Sequence, residues 1–209
     1  QEEVWRTAPG QRFELADELL AELAERDTEE RPELVAVVRM PEDDLDRLMT
    51  PGKAALIAVF DRPSGPGNIG TLIRSLDAFG GTGLVVAGHA ADPYDPRSVR
   101  ASTGSLFAIP TVRVSAAADA IDWIAAQRES GVELTVFGTD EGGETDLRSV
   151  DLAGPTVLVI GNETRGMSHA WRGACDRLLS IPMVGSASSL NAAIAGSIVL
   201  HEALRQRQH

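Results

Sequence analysis

The chain has 209 residues, enough for one domain with an appendage. Hydrophobic residues make up 43% and charged residues 24%, a globular balance that excludes a disordered or fibrous chain. Nineteen basic side chains against thirty-one acidic ones give a net charge of −12, which excludes a protein that holds nucleic acid by overall charge. A nucleic-acid role would have to rest on a local patch or on a segment outside this sequence.

Residues 1–31 are acidic, and Phe13, Leu15, Ala16, Leu19, Leu20 and Leu23 recur at helical spacing, predicting a helix over 13–23. Leu34–Val38 reads as a buried strand and Pro41–Leu48 as a short acidic helix. From Lys53–Phe60, a second apolar strand, strand and helix signals alternate. Ile69–Phe79 is a predicted helix, Gly83–Ala87 a strand, Ser98–Leu106 a helix or turn, and Pro110–Val114 a short strand. Ala116–Arg128 is a helix with Ser115 as its expected cap. Leu134–Phe137 and Thr156–Ile160 are strands, Ser168–Cys175 a helix, Leu178–Ile181 a strand, and Ser189–Arg205 a long final helix. This alternation predicts an α/β fold, a mostly parallel sheet with helices on both faces.

Gly65-Pro66-Gly67-Asn68-Ile69-Gly70 spells G-x-G-x-x-G between a strand and a helix, the setting of a dinucleotide-binding loop. Two features weaken that match. Pro66 removes one backbone donor from the loop, and the next strand closes without an acidic residue at its end, Asp92 lying a few positions beyond. A nicotinamide-dependent oxidoreductase is therefore one reading of this segment. In the helix that follows, Ile69, Leu72, Ile73, Leu76 and Phe79 form one stripe, and Arg74 points nearly opposite to it. Arg74 there is either a solvated arginine or one facing a cleft above the strand ends. The four histidines show no ligand spacing with Cys175, so no metal centre is expected.

Three further segments have no place in a generic dinucleotide domain. They are Arg100–Ser105 (R-A-S-T-G-S), Gly161–Ser168 (G-N-E-T-R-G-M-S), and Ile181–Met183 (I-P-M) followed by Ser189–Asn191 (S-L-N). With Pro66–Arg74 (P-G-N-I-G-T-L-I-R) they resemble the SpoU/TrmH family of RNA ribose 2′-O-methyltransferases of the SPOUT superfamily, over about residues 34–205. The resemblance implies a C-terminal deep trefoil knot, S-adenosylmethionine as cofactor and RNA, transfer or ribosomal, as substrate. It also implies a homodimer whose final helices help to build the interface. The cofactor-binding positions it implies are Thr139, Gly161, Ile181, Met183, Leu190 and Asn191, and the catalytic ones are Arg74, Asn68, Glu163, Ser189 and Asn191. Arg74 would act on the ribose hydroxyl, Asn68 would position Arg74 or the ribose, and Glu163 would hold its own loop and pair with an arginine. Ser189 and Asn191 are also placed to cap the last helix. A non-catalytic knotted module that binds RNA or cofactor is the alternative within the same fold.

Many members of that family carry a small substrate-binding domain ahead of the methyltransferase domain. Residues 1–50 are expected to be the tail of such a domain and 51–209 the methyltransferase domain, in a chain that opens with Gln1 as a fragment of a longer product. The longest apolar runs, such as 54–60 and 156–160, are too short to span a bilayer, and no basic, apolar leader opens the sequence. Cys175, the single cysteine, cannot form an internal disulfide and suits a reducing compartment. A cytoplasmic location and no membrane contact are the corresponding expectations.

Overall fold

Apolar runs buried on both faces can form strands only inside a covered sheet, and three of them set the centre of this fold. The computed structural model describes Thr7, residues 10–24 and residues 34–208, and divides into two compact units, Gln1–Pro41 and Glu42–His209. In the second unit the strands are β1 (Leu56–Asp61), β2 (Gly83–Ala87), β3 (Thr111–Val114), β4 (Thr135–Thr139), β5 (Thr145–Asp146), β6 (Thr156–Ile160) and β7 (Arg177–Ser180). They lie in one sheet in the order β3-β2-β1-β6-β4-β7-β5, and each paired neighbour is parallel. β1, β2 and β6 are buried along their whole length.

Alternation along β1 sorts its side chains onto two cores. Leu56, Ala58 and Phe60 face Ile69, Leu72 and Leu76 of α2 (Pro66–Ala78; α1, Asp17–Leu23, lies in the first unit) and Val199 and Leu200 of the final helix. Ile57 and Val59 join Ala120 and Ile124 of α4 (Ala117–Glu129; α3 is Pro96–Ser102) and Trp171 of α5 (His169–Ala174). The last helix is α6, Ala192–Arg207. Helices thus cover both faces, as the alternation predicts. α2 and α3 approach closely because residue 70 is glycine. A Cβ there would lie 2.3 Å from the Ser98 carbonyl oxygen and 2.7 Å from the Ala101 Cβ.

Several expectations need correction. Leu34–Val38 is not a strand, and Val37 is 99% exposed. Its composition suits a strand, but a strand needs a partner ladder. The predicted helix over 13–23 is shorter, α1 alone, and none of its residues is buried. The 41–48 helix is a single 3₁₀ turn, Leu45–Leu48, in which Asp44 caps the Asp46 N–H. α4 starts one residue later than expected, so Ser115 is not its cap; the Asp119 carboxylate reaches back to the Ala116 N–H instead (3.3 Å). The final helix starts at Ala192, which leaves Ser189 and Leu190 in the loop before it. β5 was not foreseen, being only two residues long.

Candidate active site

The carboxyl ends of β4, β6 and β7 open into one cleft, the place where parallel α/β sheets carry their ligands. Its walls come from three separated segments. β4 and the turn after it supply Thr139, Asp140 and Glu141; β6 and its loop supply Ile160 to Thr164; the run after β7 supplies Ile181, Met183, Ser189 and Leu190. Ala192 and Ala195 of α6 close one side. Of the expected cofactor positions, Thr139, Gly161, Ile181, Met183 and Leu190 line this cleft and Asn191 does not.

Glu163 is the joint of the site. Its Oε2 accepts from the Ser64 N–H (3.0 Å) and the Ser64 hydroxyl (2.9 Å), and its Oε1 accepts from Asn68 Nδ2 (2.9 Å) and the Gly65 N–H (3.3 Å). Gly65 caps the amino end of α2, where backbone N–H groups and the helix dipole favour an anion. The G-x-G-x-x-G loop therefore does hold an anion, and the anion is the chain's own carboxylate. That removes the basis of the dinucleotide reading. Burial pushes the Glu163 carboxyl up, but hydrogen bonds from Asn68 and Ser64 outweigh it and hold the group down at about 2. Contrary to expectation, no arginine among the described residues pairs with Glu163.

Asn68 extends the chain of contacts. Its Oδ1 accepts from Asn191 Nδ2 (3.1 Å), while Asn191 Oδ1 caps the N–H groups of Ala193 (2.9 Å) and Ile194 (3.2 Å). Asn68, Glu163 and Asn191, one from each motif, are thus joined side chain to side chain. Asn191 alone performs the capping foreseen for both Ser189 and Asn191. Asn68 contacts Glu163 and Asn191 rather than Arg74.

Arg74 stands apart. It is exposed on α2, opposite the buried stripe, and does not line the cleft. Six residues along a helix place it roughly 9 Å beyond Asn68. Its guanidinium Nη1 donates to Thr103 Oγ1 just past α3 (3.3 Å).

Two residues that sequence reasoning missed hold the 161–168 loop. Asp61, 2% exposed at the end of β1, accepts from Arg62 Nε and Nη2 (both 3.0 Å) and from the Ser168 N–H (2.6 Å). Arg62 also donates to the Gly166 carbonyl (3.2 Å), and its own carbonyl accepts from Asn162 Nδ2 (2.6 Å). The Asp61 carboxylate raises the Arg62 guanidinium above its ordinary value, chiefly through that hydrogen bond. An acidic residue ending a wholly apolar strand was the available signal. Gly161 has to be glycine for the loop's own sake: a Cβ there would meet the Met167 nitrogen at 2.4 Å, so the glycine lets the loop fold back on itself.

A parallel sheet with a ligand cleft at its strand ends and three motif loops tied above it defines a methyltransferase domain of the SpoU type. The chain belongs to the SpoU rRNA methylase family, whose model matches residues 55–201. It is 54% identical over 206 residues, 98% of this chain and 71% of the relative, to a 23S rRNA (uridine(2479)-2′-O)-methyltransferase of Streptomyces viridochromogenes. It superposes with a TM-score of 0.89 and 52% identity on the SpoU methyltransferase AviRb of the same organism, solved with the cofactor AdoMet. That match covers 99% of this chain and 78% of that one. An uncharacterized tRNA/rRNA methyltransferase of Mycobacterium avium is 38% identical over 167 residues, 79% of this chain, and the match spans about half (52%) of that relative's length.

Proposed function

We propose that the protein transfers a methyl group from S-adenosylmethionine to the ribose 2′-hydroxyl of a uridine in 23S ribosomal RNA. The joining of Asn68, Glu163 and Asn191 at the rim of the cleft carries this reading. The cleft suits the cofactor chemically. Ile160, Leu179, Ile181, Met183 and Leu190 offer an apolar wall for a flat base and a thioether chain, and Glu141 offers a carboxylate to a cationic ligand, the lining carboxylates of Asp140 and Glu163 being engaged by Arg172 and by the loop after β1. Among the described residues, no lysine or arginine lines it. When bound, S-adenosylmethionine supplies an electrophilic methyl group on a sulfonium.

The side chains do the rest by positioning, which can account for much of such a rate. Thr139, Gly161, Ile181, Met183 and Leu190 hold the cofactor, with Asn191 fixing the helix start beside it. Glu163, ionised at all working pH values, keeps the loop after β1 and the loop after β6 in register, and Ser189 faces the cleft next to them. Arg74 orients the hydroxyl and its adjacent phosphate and stabilises the negative charge that develops on the oxygen. A guanidinium does not give up its proton, so Arg74 is not the base.

Because Arg74 lies outside its own chain's cleft, the reading includes a homodimer in which paired subunits complete the sites. It is supported by Ile194 (46% exposed) and Ile198 (37% exposed), which repeat along the open face of α6, and by the exposed Met183 and Leu190 at its foot. A C-terminal trefoil knot is part of the same reading. It is supported by the insertion of β7 between β4 and β5, two strands laid down before it, and by the return of the following run across the cleft. Residues 1–50 are proposed as the tail of a substrate-binding domain, ahead of a methyltransferase domain over 51–209, and the protein is proposed to work in the cytoplasm. The test is incubation with labelled methyl donor and host ribosomal RNA, followed by mapping of the label. Label on the 2′-oxygen of a 23S uridine is expected, and label on a base, or none in ribosomal RNA, overturns the proposal. Arg74→Lys in the same assay tests the need for a planar fork: near-normal turnover would refute it.

A further inference from the structure

Among the described residues, two that are not glycine hold a positive φ, Arg62 and Thr103, each at 53°. The Arg62 conformation serves the loop clasp already described. Thr103 has no such role in the fold. It ends α3 in the left-handed region (φ 53°, ψ 37°), the position that glycine or asparagine ordinarily takes after a helix. There a Cβ presses against its own carbonyl, and a β-branched residue is a conformational outlier. Glycine stands next to it at Gly104, itself at φ 93°, so the local chain already makes room for the cheaper residue one position on.

What threonine supplies and glycine lacks is Oγ1. That hydroxyl lies 3.5 Å from the Ala101 carbonyl, toward which it donates, and accepts from Arg74 Nη1 at 3.3 Å. One proton directed to Ala101 leaves lone pairs facing the guanidinium, so the polarity of the contact is set. The platform beneath it is rigid. Gly70 admits α3 to direct contact with α2, and Ser98 Oγ donates to the Pro66 carbonyl (2.8 Å). Thr103 is thereby held at a fixed place relative to α2 and to Arg74. Strain kept at a residue that touches a working side chain points to positioning.

We propose that Thr103 is a positioning residue for the methyl transfer, retained in a strained conformation because its hydroxyl aims the Arg74 guanidinium. The inference rests on the reading of Arg74 as the group that meets the ribose. Its test compares Thr103→Ser, Thr103→Val and Thr103→Gly with Arg74→Ala in the full protein. The readouts are kcat and KM on ribosomal RNA, cofactor affinity by calorimetry, and the melting temperature. Thr103→Ser is expected to keep wild-type kcat. Thr103→Val and Thr103→Gly are each expected to lose about tenfold in kcat, the low end for a hydrogen bond to a charged group, with cofactor affinity unchanged. Thr103→Gly, relieved of strain, is expected to melt no lower than wild type. A purely structural role predicts the reverse, activity following melting temperature with Thr103→Gly fully active, and that result overturns the proposal. Arg74→Ala separates the two levels. Wild-type turnover in that variant removes the role of Arg74 itself; loss of turnover there, with Thr103→Val and Thr103→Gly both unaffected, overturns the Thr103 inference alone.

Discussion

Replacing Glu163 by glutamine keeps the size of the side chain and removes one acceptor oxygen and the charge. Five donors point at the carboxylate: the Ser64 N–H and hydroxyl, the Gly65 N–H, Asn68 Nδ2 and, at 3.4 Å, Asn162 Nδ2. If the amide oxygen takes the Oε1 place, it serves Gly65 and Asn68, the Ser64 hydroxyl rotates to accept, and the Ser64 N–H and Asn162 Nδ2 are left facing an NH₂ group. If it takes the Oε2 place, Gly65 and Asn68 lose their acceptor, and turning Asn68 to compensate breaks its bond with Asn191. The first arrangement is cheaper. It forfeits the Ser64 N–H bond, a charge-assisted one of about 1.5–3 kcal/mol in a dry setting, together with the long Asn162 contact, which adds little. Solvent reaches this rim, so about 1–2 kcal/mol is the expected loss of stability. Urea denaturation of both proteins measures it. The pH dependence gives a second check. The folded carboxyl, at about 2, lies below the unfolded glutamate at roughly 4.3, so its stabilisation is complete above that upper value and is lost as pH falls toward 2. The gap between wild type and Glu163→Gln is therefore constant from neutral pH to about pH 5 and closes below about pH 4.5. Equal denaturation midpoints at pH 7, or a gap that stays flat down to pH 2, would refute the account of Glu163 as an ionised joint.

Three other perturbations test the frame around the site. Asp61→Asn removes a buried acceptor of Arg62 and of the Ser168 N–H, and is expected to cost about 2–4 kcal/mol and to weaken cofactor binding in calorimetry. Arg207 donates to the carbonyls of Ala54, Ala55, Leu152 and Gly154 with no carboxylate partner among the described residues, and burial lowers its affinity for its proton. Arg207→Met is expected to lose about 2 kcal/mol by denaturation while leaving turnover intact. Burial pushes the Cys175 thiol up to about 12. Labelling of the native protein by a disulfide reagent at pH 8 is expected to run on the order of a thousandfold slower than for a free thiol, and to become fast in denaturant.

The central strands were legible because a strand buried on both faces leaves a continuous apolar run, and Gly83–Ala87 and Thr156–Ile160 fall on the residues that pattern picks out. The same logic misread Leu34–Val38, since composition does not say whether a neighbouring edge exists. Sheet order was not legible at all. Nothing local tells β7 to enter between β4 and β5, and it is that insertion which brings Ile181, Met183 and Leu190 to the same cleft as Thr139. The motifs singled out Asn68, Glu163 and Asn191, but the contacts that join them side chain to side chain were not foreseen. The residues that hold them in place were missed. Asp61 closes β1, Arg62 and Ser64 lie between that strand and a motif, and Thr103 sits inside the 100–105 segment with no role marked out for it by that segment's pattern. Each depends on a φ angle or on a partner about 30 to 100 residues away, neither of which a window of sequence contains.

The one short pattern that pointed elsewhere explains how the site works. A glycine-rich turn leading into a helix offers backbone donors to an anion, whichever anion arrives. In a dinucleotide-binding domain it is a pyrophosphate from outside. Here Glu163 fills the place from within, and Pro66, which would weaken a phosphate cradle, costs nothing at the first turn of α2. With the Ser64 and Gly65 N–H groups taken by a carboxylate of the chain, the cleft beside them carries Glu141, an Asp140 paired with Arg172, and no lining lysine or arginine among the described residues, so it gives no welcome to a free phosphate. A cationic cofactor and a polyanionic RNA then need different ground. In the proposed reading the cleft takes the first, and Arg74, which lies outside its own chain's cleft, meets the second where paired subunits complete the sites.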